Sequence, residues 1–453
     1  MADLQSFIRE IEEIYPDDIV YVDAPIDPLF EPSAVVAKLD RAKKRPVIVF
    51  NNVNGSTYPV VTNVTASRKR LALALGVPPE KMIERYIDAI RHPLTPVTVE
   101  SGPVFDEVIV GQDVNILKLP QITHHQADAG PYITGAIVLC KDPESGKYNA
   151  SFNRLMIKDE FHTAIHLTTN KHLWHSFLKA EKQGKSLEIA ILIGVHPALA
   201  LGSLYIGGMD EDELGIMGAL AGEPLQVARC KTIDLKVPVN TEILLEAEIL
   251  PNVREDEGPF GEFTGYSIGQ RKREVVKIRA ICQRKAPIFY DISVGQFDHL
   301  LLSTLPMEAS LYTHVKAAVP TVQAVRIPAP FTAFISLKNV VPGIVNSAIL
   351  AAFDADMYIK QVVVVDEDIN VFDTNRVVWA MGTRCQPHRD VILLPNLRGS
   401  DLDPSCAPDG FTSKMGIDAT AKPSLAEFPA MSAFSQEVMD RLNLDLLIKS
   451  KQR

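Results

Sequence analysis

Residues 257–262 read Glu-Gly-Pro-Phe-Gly-Glu, and neither a helix nor a straight strand can run through them unbroken. Glycine tolerates the left-handed backbone that a tight turn demands, while proline fixes φ and withholds its N–H. The chain must bend sharply here, and the bend allows Glu257 and Glu262 to face one site. Two carboxylates held close together cannot ionise equally, and the disfavoured one keeps a proton near neutral pH. That is how a general acid is made from glutamate. Alone, the hexapeptide reads more readily as a solvated turn. Its company upstream, Asn149, Arg154, His172 and Glu213, favours the catalytic reading.

The length of 453 residues exceeds one ordinary core, so two or three domains are expected. Hydrophobic residues make up 46 % and charged ones 23 %, a globular balance. A net charge of −10 argues against nucleic acid or an anionic membrane as the main partner. The basic run Arg271-Lys272-Arg273 accordingly reads as a solvated turn. Five scattered cysteines (Cys140, Cys230, Cys282, Cys385, Cys406) lack CxxC spacing, which fits free thiols in a reducing compartment. The most apolar run, Ile189 to Ile206, is interrupted by Gly194, His196-Pro197 and Gly202. A membrane span needs about 20 apolar residues, so a buried strand, a turn and a second strand are expected instead, in a cytoplasmic protein.

In chain order, an α/β (α+β) fold in three parts is expected. Residues 1–105 form a small α/β domain. Its signals are a helix with Leu4, Phe7, Ile8 and Ile11 on one face, a buried strand at Pro46–Phe50, and a helix carrying Met82, Ile83, Tyr86, Ile87 and Ile90 after Pro78-Pro79. Residues 106–304 are mainly β, a barrel or curved sheet able to hold a flat cofactor. Strands are read at 133–140, 187–195, 243–249 and 275–282. One helix interrupts them, capped by Thr168-Thr169-Asn170, with His172 in its first turn. Residues 305–453 return to α/β, with helices at 307–318, 345–353 and 375–381 and a covered strand at Val362–Val365. A terminal amphipathic helix (Val438, Met439, Leu442, Leu446) is free to contact a partner subunit.

P-loop, GxGxxG, HExxH and GxSxG signatures are absent. His162 and His166 lie four apart in a strand-like segment without the glutamate of HExxH, so no metal is expected there. Other motifs carry a likeness. The order Asn149-Ala-Ser-Phe-Asn-Arg154, His172, Asp212-Glu213 and 257–262, together with Thr123-His-His-Gln-Ala-Asp-Ala-Gly-Pro-Tyr-Ile-Thr134 and Trp379-Ala-Met-Gly-Thr-Arg384, resembles the UbiD family of prenylated-flavin-dependent decarboxylases. The similarity is densest from about residue 100 to 390.

The resemblance implies a central split β-barrel that binds prenylated FMN, and a cytoplasmic homodimer or higher homo-oligomer. It also implies a flavin prenyltransferase as supplier of the cofactor. Asn149, His172 and Glu213 fall on positions that hold Mn²⁺ or Mg²⁺ against the cofactor phosphate. Amide oxygen, imidazole and carboxylate suit such a cation. A K⁺ ion would take backbone oxygens around Gly202-Ser203 and Tyr205. Arg154 falls on the substrate-facing arginine, whose planar fork can grip a carboxylate. Glu257 would hold Arg154, and Glu262 would protonate the carbon that loses CO₂. Thr134, Ser151 and Phe152 fall on flavin-lining positions.

There are departures. No clear lysine for the cofactor phosphate stands in the helix before Val362; Asp354 occupies that region, and the metal and Lys171 are the substitutes. His299, Leu302, Arg326 and Phe331 are candidate substrate contacts, a lining suited to a hydroxybenzoate or a furan or pyrrole carboxylate. The expected activity is reversible, non-oxidative decarboxylation of such an acid. A cinnamic-type α,β-unsaturated acid, a flavin-storage protein and a metal-dependent hydrolase are the alternatives. Storage would not need Arg154, Glu257 and Glu262, and a hydrolase lacks an evident water-activating base.

Overall fold

Two long strands, Ile243–Glu257 and Arg271–Gln283, run antiparallel on either side of the 257–262 bend and form the spine of the molecule. The structure is a computed structural model describing residues 3–169, 171–209, 211–400, 402–407, 410–422, 428–429, 432 and 434–447. The bend needs its glycine, because Gly258 has φ 84°. Two register shifts in the long pair, after Glu246 and after Ile249, add curvature.

The spine belongs to a nine-stranded sheet. One path through it runs Tyr132–Ile133, Leu155–Ile157, His162–Ile165, Arg271–Gln283, Ile243–Glu257, Leu187–Ile193, Ala136–Lys141 and Tyr148–Phe152, with Glu107–Val110 paired to Arg271–Gln283 off the path. The first and last strands of that path are tied by very short links. Only Thr134-Gly135 separates Tyr132–Ile133 from Ala136–Lys141, and only Asn153-Arg154 separates Tyr148–Phe152 from Leu155–Ile157. Laid flat, seven steps of about 4.8 Å would set the two ends roughly 34 Å apart. A two-residue link reaches about 10 Å. The sheet must curl until its ends meet, as the expected split barrel does, and the links Thr134-Gly135 and Asn153-Arg154 cross the seam.

The N-terminal part packs on this sheet and shares its core. Asp3 and Ser6 close a capping box on helix Leu4–Ile14, which buries the four expected apolar residues. The four-stranded sheet Ile19–Val22, Val47–Phe50, Val60–Thr62, Phe289–Tyr290 takes its last strand from the central segment. Buried Asp298 accepts hydrogen bonds from the Thr65 N–H (2.7 Å) and hydroxyl (2.6 Å), a further tie.

The C-terminal part is a five-stranded sheet in the order Val322–Ala329, Thr332–Leu337, Gln361–Asp366, Phe411–Asp418, Val391–Arg398. The middle three strands are parallel, and Val362–Val365 are buried, as the apolar run implied.

Several expectations are corrected. The segment after Leu187–Ile193 is helix Pro197–Gly202, not a second strand. Proline at its start, the His196 side chain accepting the Ala198 N–H, and an Ala-Leu-Ala-Leu run without β-branching all favour helix. The helix expected from Met307 begins at Phe297 and runs 22 residues through Pro306. Arg271-Lys272-Arg273 open a strand instead of forming a turn. Lys171, without a side-chain capping bond, precedes helix His172–Lys182, and Asn170 lies outside the described residues. The terminal helix is two short ones, Gln436–Arg441 and Leu444–Leu447, with Val438, Met439 and Leu442 exposed; the Leu446 side chain lies outside the described residues. All five cysteines are free. No helix of the described residues is long and apolar enough to cross a membrane.

Gly135 makes the seam testable, since a Cβ there would press into the Tyr290 carbonyl. Gly135→Ala should cost about 1–3 kcal/mol through overpacking. That would lower the urea midpoint, and an unchanged midpoint would contradict the close approach at the seam.

Candidate active site

The barrel seam carries Arg154 to the bend. Its Nε donates to Glu257 Oε1 (2.8 Å) and Nη2 to Glu257 Oε2 (3.1 Å), a two-pronged grip, while Nη1 donates to Glu262 Oε1. The Glu257 and Glu262 side chains are buried, at 2 % and 9 % exposure, and Arg154 is mostly so, at 11 %. Burial works against the arginine's charge, but hydrogen bonds to Glu257 and the field of both carboxylates outweigh it and raise its pKa. Phe260 lies face-on to the guanidinium, 4.7 Å from Cζ to ring centroid. The Tyr132 hydroxyl donates to Glu257 Oε1 (3.2 Å) and accepts from the Gly258 N–H (3.1 Å), steadying the bend. Asp128 accepts the N–H groups of Gly261 (2.8 Å) and His125 (2.9 Å), which explains what much of the 123–134 stretch does.

Arg154 and Glu262 face a cavity of about 230 Å³. Thr134, Phe152, Phe260 and Ile292 line it from the barrel, His299 and Leu302 from helix Phe297–Ala318, and Tyr358 and Leu402 from the C-terminal part. Among the described lining residues, Arg154 is the one arginine or lysine, and two carboxylates face it. His299 is neutral at pH 7: burial first, then Arg154, push its pKa down to about 4. The Thr134 hydroxyl bonds Asp291 Oδ1 (2.9 Å), which also meets His124 Nε2 (2.8 Å), so a buried polar pair stands behind the cavity wall.

The three expected metal ligands converge at the other end of strand Tyr148–Phe152. Glu213 Oε1 accepts from Asn149 Nδ2 (2.8 Å) and lies 3.2 Å from His172 Nδ1, and Oε2 accepts the Ala150 N–H (2.7 Å). Glu213 opens helix Glu213–Ala221, with Asp212 as its cap. Burial raises the Glu213 pKa against these hydrogen bonds, and Asn149 Oδ1 is buried without a partner among the described residues. A raised carboxylate beside an orphaned amide oxygen and an imidazole fits a hard divalent cation. Among the described residues no group of three or more His, Cys, Asp or Glu could hold a metal, so a metal here rests on a set that includes an amide.

Other expected residues are placed less centrally. The Ser151 hydroxyl bonds Asn153 Oδ1 (2.8 Å), one residue short of the seam arginine. Lys171 is exposed beside His172. Buried Ser203 turns its hydroxyl to Ala200 O, while Tyr205 borders a separate cavity of about 160 Å³. Phe331 stacks on Tyr358 (6.3 Å) and lies 5.8 Å from Phe263, a second row behind the wall. Arg326 is not brought to the cavity; it pairs with buried Glu308 (3.6 Å). Arg384 binds Asp366 and Asp368 at the carboxyl end of Gln361–Asp366, which makes its motif structural at that point. Sequence reasoning missed His166, Asn153, Tyr358 and Leu402. His166 was weighed only as a metal ligand, and the C-terminal pair carries no motif.

Comparisons with known proteins place the chain in one family. Models of the 3-octaprenyl-4-hydroxybenzoate carboxy-lyase N-terminal, Rift-related and C-terminal domains match residues 15–90, 96–297 and 301–419. The chain is 33 % identical over 428 residues to an anhydromevalonate phosphate decarboxylase of Methanothermobacter thermautotrophicus, covering 94 % of this chain and 98 % of that one. It is 32 % identical to a phenolic acid decarboxylase of Bacillus subtilis, over 83 % and 84 % of the two chains. The UbiD-class enzyme HmfF from Pelotomaculum thermopropionicum, solved in complex with FMN, superposes with a TM-score of 0.91 at 39 % identity, covering 97 % of this chain and all of that one. The chain belongs to the UbiD family of carboxy-lyases.

Proposed function

We propose that the protein is a reversible, non-oxidative decarboxylase of an aromatic or heteroaromatic carboxylic acid that works with prenylated FMN. The observation that carries this reading is the convergence of Arg154, Glu257 and Glu262, with Arg154 and Glu262 facing one cavity and Glu257 behind the arginine. The arginine's five N–H groups spend three on the two glutamates, which leaves one on each terminal nitrogen for a substrate carboxylate. Glu257 holds the fork still, and the aromatic wall of Phe152, Phe260 and Phe263 excludes water.

When bound, prenylated FMN supplies the electron sink that no side chain here provides. As the bond to the carboxylate breaks and CO₂ leaves, Glu262 returns one proton to the carbon that carried it. In reverse, Glu262 takes that proton while Arg154 receives the new carboxylate. Asn149, His172 and Glu213 would hold Mn²⁺ or Mg²⁺, with Lys171 beside them for the cofactor phosphate. Backbone oxygens near Gly202-Ser203 and Tyr205 would take K⁺, and Thr134, Ser151 and Phe152 would face the flavin.

The cavity favours a singly charged ring acid such as a hydroxybenzoate or a furan or pyrrole carboxylate, met by His299 and Leu302. A phosphorylated acid of the kind named for the Methanothermobacter relative is the rival, supported by the full-length identity. Against it, the one arginine among the described lining residues is already opposed by two carboxylates. We further read the chain as three parts, 1–105, 106–304 and 305–453, with the site between the last two. Exposed Val438, Met439 and Leu442 suit a subunit contact in a homo-oligomer. A flavin prenyltransferase would supply the cofactor, and free thiols suit a cytoplasmic setting.

Protein produced with a flavin prenyltransferase should release CO₂ from at least one acid in an aromatic and heteroaromatic panel. Glu262→Gln should lower that rate by about 100-fold or more, with flavin absorbance and metal content unchanged. A cofactor-loaded protein inert toward the whole panel would contradict the substrate class, and full turnover by Glu262→Gln would remove its role. His172→Ala should lose metal and flavin together, read by elemental analysis and absorbance. Unchanged occupancy would refute the ligand assignment.

A further inference from the structure

A second imidazole faces the cavity, and its protonation is dictated by a neighbouring strand. Ile165 pairs with Glu274 in the antiparallel register, which sets His166 opposite Arg273. Arg273 Nη2 lies 3.1 Å from His166 Nε2. A guanidinium offers only donors and does not deprotonate, so that ring nitrogen must present its lone pair. The proton of the neutral ring is then on Nδ1, for which no hydrogen-bond partner is found among the described residues. The charged groups that act on the ring, Arg154, Arg273 and Arg271, are all positive. Together with burial, the largest cause, they push its pKa down to about 2. His166 is thereby a neutral donor locked in one tautomer in the wall of the cavity.

We propose that His166 determines substrate specificity. Its Nδ1–H favours an acid whose ring bears a hydroxyl or carbonyl oxygen able to receive that hydrogen bond. Arg273 is the positioning residue that decides which nitrogen carries the proton. This rests on the decarboxylase reading for the identity of the ligand, but the tautomer does not. The neighbouring His299 is neutral too, so the cavity offers uncharged hydrogen-bonding groups in addition to the carboxylate grip.

Two measurements test the proposal. Long-range ¹H–¹⁵N correlation spectra of histidine-labelled protein without flavin, assigned by difference with His166→Gln, should show the Nδ1–H tautomer unchanged from about pH 8 to 5. Arg273→Lys, still only a donor, should keep that tautomer. Arg273→Met should release it to a mixture. An Nε2–H or cationic His166 in the unaltered protein overturns the assignment.

For specificity, flavin-loaded Glu262→Gln protein allows binding to be measured without turnover. Adding His166→Leu should weaken 4-hydroxybenzoate by about tenfold, the worth of one hydrogen bond, and leave benzoate unchanged. An equal change for both acids, or none, overturns the specificity role. The expected discrimination in binding, alongside no CO₂ release by protein with Glu262 intact, would instead sink the decarboxylase reading and leave this one standing.

Discussion

A guanidinium held out of water between two carboxylates is the constraint on which the rest of this molecule turns. Taking such ions from water costs several kcal/mol each. Each opposite-charge pair about 4 Å apart returns only about 4 kcal/mol at the effective dielectric of a protein. The trio therefore does little for stability. What it requires is position: Arg154 arrives on a two-residue link across the barrel seam, while Glu257 and Glu262 arrive on a glycine-proline bend 103 and 108 residues later. Neither feature is useful without the other. The curl of the sheet, the Tyr132 hydroxyl and the Asp128 clamp on Gly261 are all consequences of holding that meeting point still.

The same strand that ends near Arg154 begins near Asn149. Strand Tyr148–Phe152 thus sets a fixed span between the place where a cation and phosphate would be held and the place where a carboxylate would be gripped. A flat cofactor laid along it would be anchored at one end and reactive at the other. The C-terminal part adds Tyr358 and Leu402 as a further wall. At the cavity, charge is concentrated at Arg154 and Glu262 with Glu257 behind them, and both histidines are kept neutral by burial and by the field of nearby arginines.

Much of this was legible in the chain. The 257–262 bend announces itself through turn chemistry, and Val47–Phe50 and Val362–Val365 through apolar runs, because these are local properties. The order of motifs around Asn149, Arg154, His172 and Glu213 singled out residues that the fold then gathers into two clusters. Long-range register was not legible. Nothing near Arg273 signals that it will face His166, since that neighbourhood depends on which strand pairs with which. The curl of the sheet is likewise visible only once strand order is known. The long helix read as starting only at Met307, although buried Leu301, Leu302 and Leu305 carry it through Pro306 from Phe297. Arg326 read as a substrate contact because the presence of buried Glu308 beside it is a tertiary fact.

The central claim is that Arg154 grips the departing carboxylate with a fork that only arginine has. Its most direct test is CO₂ release by flavin-loaded Arg154→Lys protein, which keeps the charge and loses the planar geometry. A loss of about 100-fold or more, the size expected from misplacing a bound group by about an ångström, is predicted, with flavin still bound. Turnover within a few-fold of the unaltered protein would contradict the account.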